Sequence, residues 1–146
     1  MTKEPVPGRV AHARVIDAPL DVAAHLAAVE GPAVGATDVF VGTIRDHDPE
    51  ATGTVVGLEY EAHPDAEGML AALAGRIALS TGTTIAVSHR FGTLAVGDVA
   101  VVVASSAPHR REALESTRAL IELIKTEVPI WKRQTDDTGS SAWVGL

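Results

Sequence analysis

The sequence contains no cysteine. Disulfides, thiolate metal sites and a cysteine nucleophile are thereby excluded, and any sulfur handled here has to arrive on a partner or a cosubstrate. Aromatic residues make up only 3% of the chain, so the core must be assembled mainly from Val, Leu, Ile and Ala. No apolar run approaches the roughly 18 residues that a membrane-spanning helix requires. Residues 1–8 have neither the apolar stretch nor the flanks of a signal peptide, and a cytoplasmic location is expected by default. Positive charge is scarce as well. Twelve Lys and Arg face nineteen Asp and Glu, a formal net charge of −7, the wrong sign for general nucleic-acid binding.

What is present fits one folded domain spanning residues 1–146, with residues 1–8 and 135–146 expected at its periphery. Hydrophobic residues are 46% and charged residues 21% of the chain, a globular balance. No internal repeat or dividing linker is visible. Residues 9–16 read as a first strand, and Asp17 and Pro19 as the start of a short helix carrying Leu20, Val22, Ala23, Leu26 and Ala27. The β-branched run TDVFVGTI (37–44) predicts a buried strand. A polar loop, RDHDPEATG (45–53), separates it from another strand over 54–61. Pro64 opens a second helix that Gly82 can stop. Strands over 84–91 and 98–105 follow, joined by a Gly-containing turn. The third helix starts near Pro108 and shows an apolar stripe of Ala113, Thr117, Leu120, Ile121 and Ile124. Pro129 ends it by about Val128. Residues 129–134 and 142–144 look extended. The sum is an α+β domain with strands and helices packed as two layers.

Charge is unevenly placed. Six of the twelve Lys and Arg fall in residues 110–133, with only four Glu among them, so this stretch is positive in an otherwise acidic chain and would attract an anion locally. A solvated helix with paired charges would look the same. At SSAPHR (105–110) a strand hands over to a helix, and free N–H groups at a helix start favour anions. His109 and Arg110 add side-chain donors there, and Arg can grip phosphate bidentately. Lys125 falls in the last helical turn, where the helix dipole alone also favours a cation. Lys132 and Arg133 follow Pro129 and Trp131 in an extended segment that can turn one side chain inward. A lysine beside apolar Ile130 and Trp131, with another cation near, can act as base or nucleophile.

In GTIRDHD (42–48), Gly42 permits close backbone approach, and Arg45 stands where strand becomes loop. Asp46, His47 and Asp48 invite a metal, but no matching ligands appear elsewhere and a solvated loop is the simpler reading. His12, His25 and His63 form no visible constellation. His89-Arg90 reads as a structural strand end, and Glu59 and Glu61 share a strand face without a partner that would make them an acid–base pair.

Together and in this order, FVGTIRDHD (40–48), LEYEAHP (58–64), HRFGTLAVGD (89–98), SSAPHRREAL (105–114) and IKTEVPIWKRQ (124–134) resemble the large, catalytic subunit of molybdopterin synthase. The pairing of SAPHR with a later KTEVPIWK is the most specific part. The resemblance implies an α/β-hammerhead-like fold and a homodimer within a heterotetramer. It implies a small ubiquitin-like sulfur carrier, ending in Gly-Gly, at each end. That carrier's thiocarboxylate would donate sulfur twice to cyclic pyranopterin monophosphate, giving molybdopterin, with no resident cofactor or metal. No ubiquitin-like segment lies in these residues, so the carrier would be a separate chain.

By motif, Lys125 and Lys132 match the family's catalytic lysines. Arg45, His109 and Arg110 match its substrate contacts, with Thr43 and Ile44 along the same edge, and Arg133 and Gln134 follow at further substrate positions. Gln134 stands where that family often has Glu, which removes a negative charge near Lys132. The alternative readings are a non-catalytic module that docks the carrier, and a phosphate-ligand binding domain that needs no carrier.

One geometric expectation follows. If the third helix is continuous, the sixteen residues from His109 to Lys125 span about 24 Å. A pterin phosphate on the order of 10 Å, met by side chains reaching roughly 6–7 Å, would barely touch both ends. A composite site is therefore expected, in which His109 and Arg110 of one subunit serve the lysines of the other.

Overall fold

The computed structural model describes residues 7–47, 53–139 and 141–145. In chain order they form β1 (Arg9–Ile16), α1 (Val22–Ala28), β2 (Ala36–Thr43), β3 (Val55–Ala62), α2 (Ala66–Thr81), β4 (Thr84–Arg90), β5 (Gly92–Ala95), β6 (Val99–Ala107), α3 (Arg110–Glu127), β7 (Ile130–Asp136) and β8 (Ser141–Gly145). The strands make two four-stranded sheets, ordered β1-β4-β6-β2 and β5-β3-β7-β8. Only the β1–β4 pair is parallel; the other pairs are antiparallel.

The helix ends follow local chemistry. Asp21 caps α1 by accepting the Ala24 N–H at 3.1 Å, so this helix begins after Pro19 rather than at Asp17. Gly82 closes α2 in the left-handed region (φ 68°, ψ 36°), its N–H bonded to the Ala78 carbonyl, a conformation that costs glycine nothing. α3 starts at Arg110 with His109 as its N-cap residue, two residues past Pro108, and runs unbroken to Glu127. Pro129 then stops it, having no N–H to continue the ladder.

One continuous core joins both sheets to the longer helices. Ile85, Val87, Val101 and Val103 of the first sheet meet Leu70, Leu73, Ala74 and Ala78 of α2, Leu120 and Ile124 of α3, and Leu58, Tyr60, Leu94 and Ile130 of the second sheet. A smaller cluster, Val29, Ala86 and Ala104, lies beneath α1 on the far face of the first sheet. Strand β6 is covered on both faces, which is why VAVVVASSA lacks the polar alternation of a half-exposed strand. The α+β plan read from the sequence is the one observed, with β5 as an additional strand where a turn was expected. No described helix is long and apolar enough to cross a membrane.

Candidate functional site

The last turn of α3 brings Lys125 against the inner face of the second sheet. The turn is anchored by Ile124, which is fully buried, and its neighbour Lys125 is drawn partly under cover. Burial pushes the Lys125 amine below the ordinary lysine range, and the nearby charge of Lys132 lowers it further. Both effects disfavour the ammonium.

Strand parity decides which residues join it. Along β7, Ile130, Gln134 and Asp136 are buried and Lys132 is half-buried, while Trp131 is 44% exposed. Lys132 therefore shares the inner face with Ile130, Gln134 and Asp136, and Trp131 points the other way. Across the ladder Tyr60 pairs with Lys132 and Leu58 with Gln134. Tyr60 is buried, and burial pushes its hydroxyl up to about 12. Against its ring stands His89 from the end of β4, edge-on at 4.9 Å and 84°. His89 is 1% exposed. Burial is the main reason its imidazole falls to about 4, opposed by the hydrogen bond to Arg90 and reinforced by the charge of Lys125. Among the described residues, the candidate site is thus a pair of lysines beside Tyr60, His89 and Gln134.

Arg133 lies on the opposite face of β7. There it meets Glu59 at 3.2 Å and stacks 5.2 Å from the centre of the Trp143 ring. Glu59 thus belongs with Arg133 rather than with Glu61. Both members of this pair are about 40% exposed, so it contributes at most about 1 kcal/mol.

The remaining sequence candidates lie elsewhere. His109 and Arg110 are exposed at the other end of α3, whose 18 residues measure about 27 Å. Thr43 and Arg45 are exposed at the end of β2. Between them Ile44 buries its side chain in the core. Its N–H donates to the Asp98 carbonyl at 3.0 Å and its own carbonyl accepts from Gly97 at 2.8 Å. Gly42 precedes an irregularity in the β2–β6 ladder, and a Cβ there would come within 2.6 Å of the Val101 side chain. In this position the glycine permits the approach to β6. Asp46 and His47 are exposed, and Asp48 lies outside the described residues.

Sequence reasoning missed His89 and Tyr60 as members of the site. The signal was faint: a histidine closing a five-residue buried run in β4, with burial continuing through it. It also missed a histidine cluster under α1. His25 is buried. Its Nδ1 donates to the Asp21 carbonyl at 2.6 Å and its Nε2 accepts from the Ser88 hydroxyl at 2.8 Å. The His12 ring packs edge-on at 4.7 Å. Both His25 nitrogens are occupied, which makes this a latch for α1.

Comparison with known proteins adds a consistent picture. The model of the MoaE protein family matches residues 15–127. The chain is 46% identical over 140 residues to molybdopterin synthase catalytic subunit 1 of Mycobacterium tuberculosis, covering 94% of this chain and 93% of that protein. It is 41% identical over 119 residues to the molybdopterin synthase catalytic subunit of Bacillus subtilis, covering 80% and 74%. It matches the longer catalytic subunit of Drosophila willistoni at 38% identity, spanning 33% of that protein and 84% of its own length. Among solved structures, molybdopterin synthase from Staphylococcus aureus superposes with a TM-score of 0.84 at 33% identity, covering 92% of this chain and 97% of that one.

Proposed function

The chain belongs to the MoaE protein family, the family of molybdopterin synthase catalytic subunits, and from that premise we propose the chemistry of its site. The chain transfers sulfur from the C-terminal thiocarboxylate of a small ubiquitin-like carrier to cyclic pyranopterin monophosphate, giving molybdopterin. The observation that carries this reading is the convergence of Lys125 and Lys132 on one partly buried surface, with the Lys125 amine held below its ordinary range. An amine so placed is nucleophilic and can also donate a proton, as displacement of oxygen by sulfur demands. The absence of cysteine supports delivery of sulfur by a partner.

In each transfer the thiocarboxylate sulfur bonds to a pterin side-chain carbon as a carbon–oxygen bond breaks. Water then cleaves the acyl–sulfur bond and the carrier leaves as a carboxylate. Lys125 assists the attack or holds the acyl end, and Lys132 supplies positive charge to the departing oxygen. Arg45, His109 and Arg110 bind the phosphate and pterin, with the last two supplied by a second copy of the chain because α3 keeps its own pair at the far end of the helix. Arg133, held by Glu59 and Trp143, belongs to the outer face, and Gln134 to the wall beneath Lys132. The protein acts in the cytoplasm.

The test is a single-turnover assay with a thiocarboxylated Gly-Gly carrier and cyclic pyranopterin monophosphate, following dithiolene product. Lys125→Ala is expected to abolish product while carrier binding persists. Equal loss of binding and turnover would make Lys125 a docking residue.

A further inference from the structure

The chain has two tryptophans, and neither enters the core: Trp131 on β7 is 44% exposed and Trp143 on β8 is 51% exposed. Both stand on the outer face of the second sheet. The inward residues of β7 leave Trp131, Arg133 and Thr135 pointing out. Arg133 pairs with Trp143 across the β7–β8 ladder, and its guanidinium lies 5.2 Å from the centre of that ring. From the other side, Glu59 of β3 accepts from Arg133 at 3.2 Å. The next outward residue of β3, Glu61, stands opposite Trp131 and is exposed. Among the described residues no cation answers it.

Aromatic residues are only 3% of the chain, yet a core short of large side chains has left both indoles outside. Trp and Arg are the side chains that most often dominate binding at an interface, and an apolar patch rimmed by charge marks such a surface. Arg133 is already held by a ring and a carboxylate, so little freedom is lost when a partner covers it.

Position identifies the partner. Trp131 and Arg133 flank Lys132 in β7, and Val144, next to Trp143, pairs with Lys132. The tryptophan face and the candidate lysine are therefore opposite sides of the same two strands. β8 is the last strand of its sheet, so a chain leaving the outer face reaches the inner one round a single edge. One sheet layer is about 10 Å deep, which three or four extended residues cover at about 3.4 Å each. A folded body with a short tail free of side chains, as in a carrier ending in Gly-Gly, fits this path. The other exposed apolar side chains are less well placed. Leu114 lies about 16 Å from Lys125 along α3, Met69 and Leu79 are on α2, and Phe40 and Val41 are on β2 in the first sheet. We propose that the outer face of the second sheet, centred on Trp131, Arg133 and Trp143, docks the folded body of the sulfur carrier, whose tail turns round β8 to the lysines. The carrier surface that fits is apolar at its centre, with a basic residue to meet Glu61. This rests on the reading of Lys125 and Lys132 as the site of sulfur transfer.

The test measures carrier affinity by calorimetry, and the single-turnover rate at saturating carrier, for wild type, Trp131→Ala, Trp143→Ala and Leu114→Ala. Each tryptophan variant is expected to bind about tenfold or more weakly, and Trp143→Ala to keep the saturated rate within about threefold. Leu114→Ala should match wild type in both. A carrier truncated before its Gly-Gly should still bind wild type, and bind Trp143→Ala about tenfold more weakly. Wild-type affinity in both tryptophan variants would overturn the proposal, as would equal loss in Leu114→Ala or a truncated carrier that does not bind.

Should the variants fail to fold, the indole N–H signals of the wild-type protein decide the point. Two tryptophans give two such signals, and the carrier should shift both; one that stays in place at saturation refutes the docking face. Lys125→Ala run in parallel separates the two readings. If it keeps full rate while the indole signals shift, the catalytic assignment fails and the docking face stands. If it is inactive and the indole signals do not move, only the docking face fails.

Discussion

Acid should destabilise this fold through His89 in a way that can be isolated. The imidazole is fully enclosed and falls from 6.5 to about 4 chiefly through burial. The unfolded chain therefore binds a proton below pH 6.5 that the native state refuses until about pH 4. The sign follows from linkage: stability contributed by the neutral ring is complete above pH 6.5, declines as pH falls through the window, and levels off below pH 4. At about 1.4 kcal/mol per tenfold change in proton affinity, the difference amounts to about 3 kcal/mol. That is a large share of the 5–15 kcal/mol typical of a domain. Urea unfolding of wild type and His89→Phe at pH 7.5, 6, 5 and 4 would measure it. Carboxylates titrate in the same range but are common to both proteins and cancel in the difference. The phenyl ring keeps the packing against Tyr60 and loses the bond to the Arg90 carbonyl, an offset that does not vary with pH. The stability gap between the proteins should shift by about 3 kcal/mol toward the variant between pH 7.5 and 4. Parallel pH profiles would refute the reasoning and mean that the ring is solvated or already charged in the native state.

Two further outcomes test the site itself. Lys132→Gln should raise the Lys125 amine toward the ordinary lysine value without reaching it, because burial, the larger cause, remains; the pH dependence of Lys125 labelling by an amine-reactive reagent would show this, and a downward or absent shift would contradict it. Mixing Lys125→Ala and His109→Ala subunits, each inactive alone, should restore activity if the site is composite. With free exchange half of the dimers are mixed and each holds one intact site, so about a quarter of wild-type activity is the ceiling, and no recovery would place both groups in one subunit.

The parts of the fold legible in the sequence were those specified locally. Helix α3 could be bounded because its apolar stripe recurs at helical spacing and Pro129 forbids continuation. β6 could be found because a run of β-branched residues buried on both sides has few alternatives. β5 could not: it has four residues and opens at Gly92 with φ of 96°, a glycine indistinguishable in sequence from the turn that it was taken to be. The order β1-β4-β6-β2 is a matter of non-local pairing, and nothing within any strand encodes its neighbours.

The lysines of the candidate site could be named from the sequence but their setting could not, and the reason is register. In PIWKRQ (129–134) alternation says that Lys132 and Arg133 face opposite ways, but not which one faces in. That is fixed by Tyr60 standing opposite Lys132 and Glu59 opposite Arg133, residues more than 70 positions away in the chain. The same pairing sends one cation to an aromatic and carboxylate partner on the outer face, and the other to the inner face, where its charge and burial together lower the Lys125 amine. Two adjacent basic residues thereby acquire opposite settings: Arg133 is held between Glu59 and Trp143, while Lys132 raises the cost of charging Lys125. The positive stretch over residues 110–133 is therefore not one patch. α3 sets Arg110 and Lys125 about 22 Å apart along its axis, with Arg118 between them, and that separation is what the proposed two-copy site rests on.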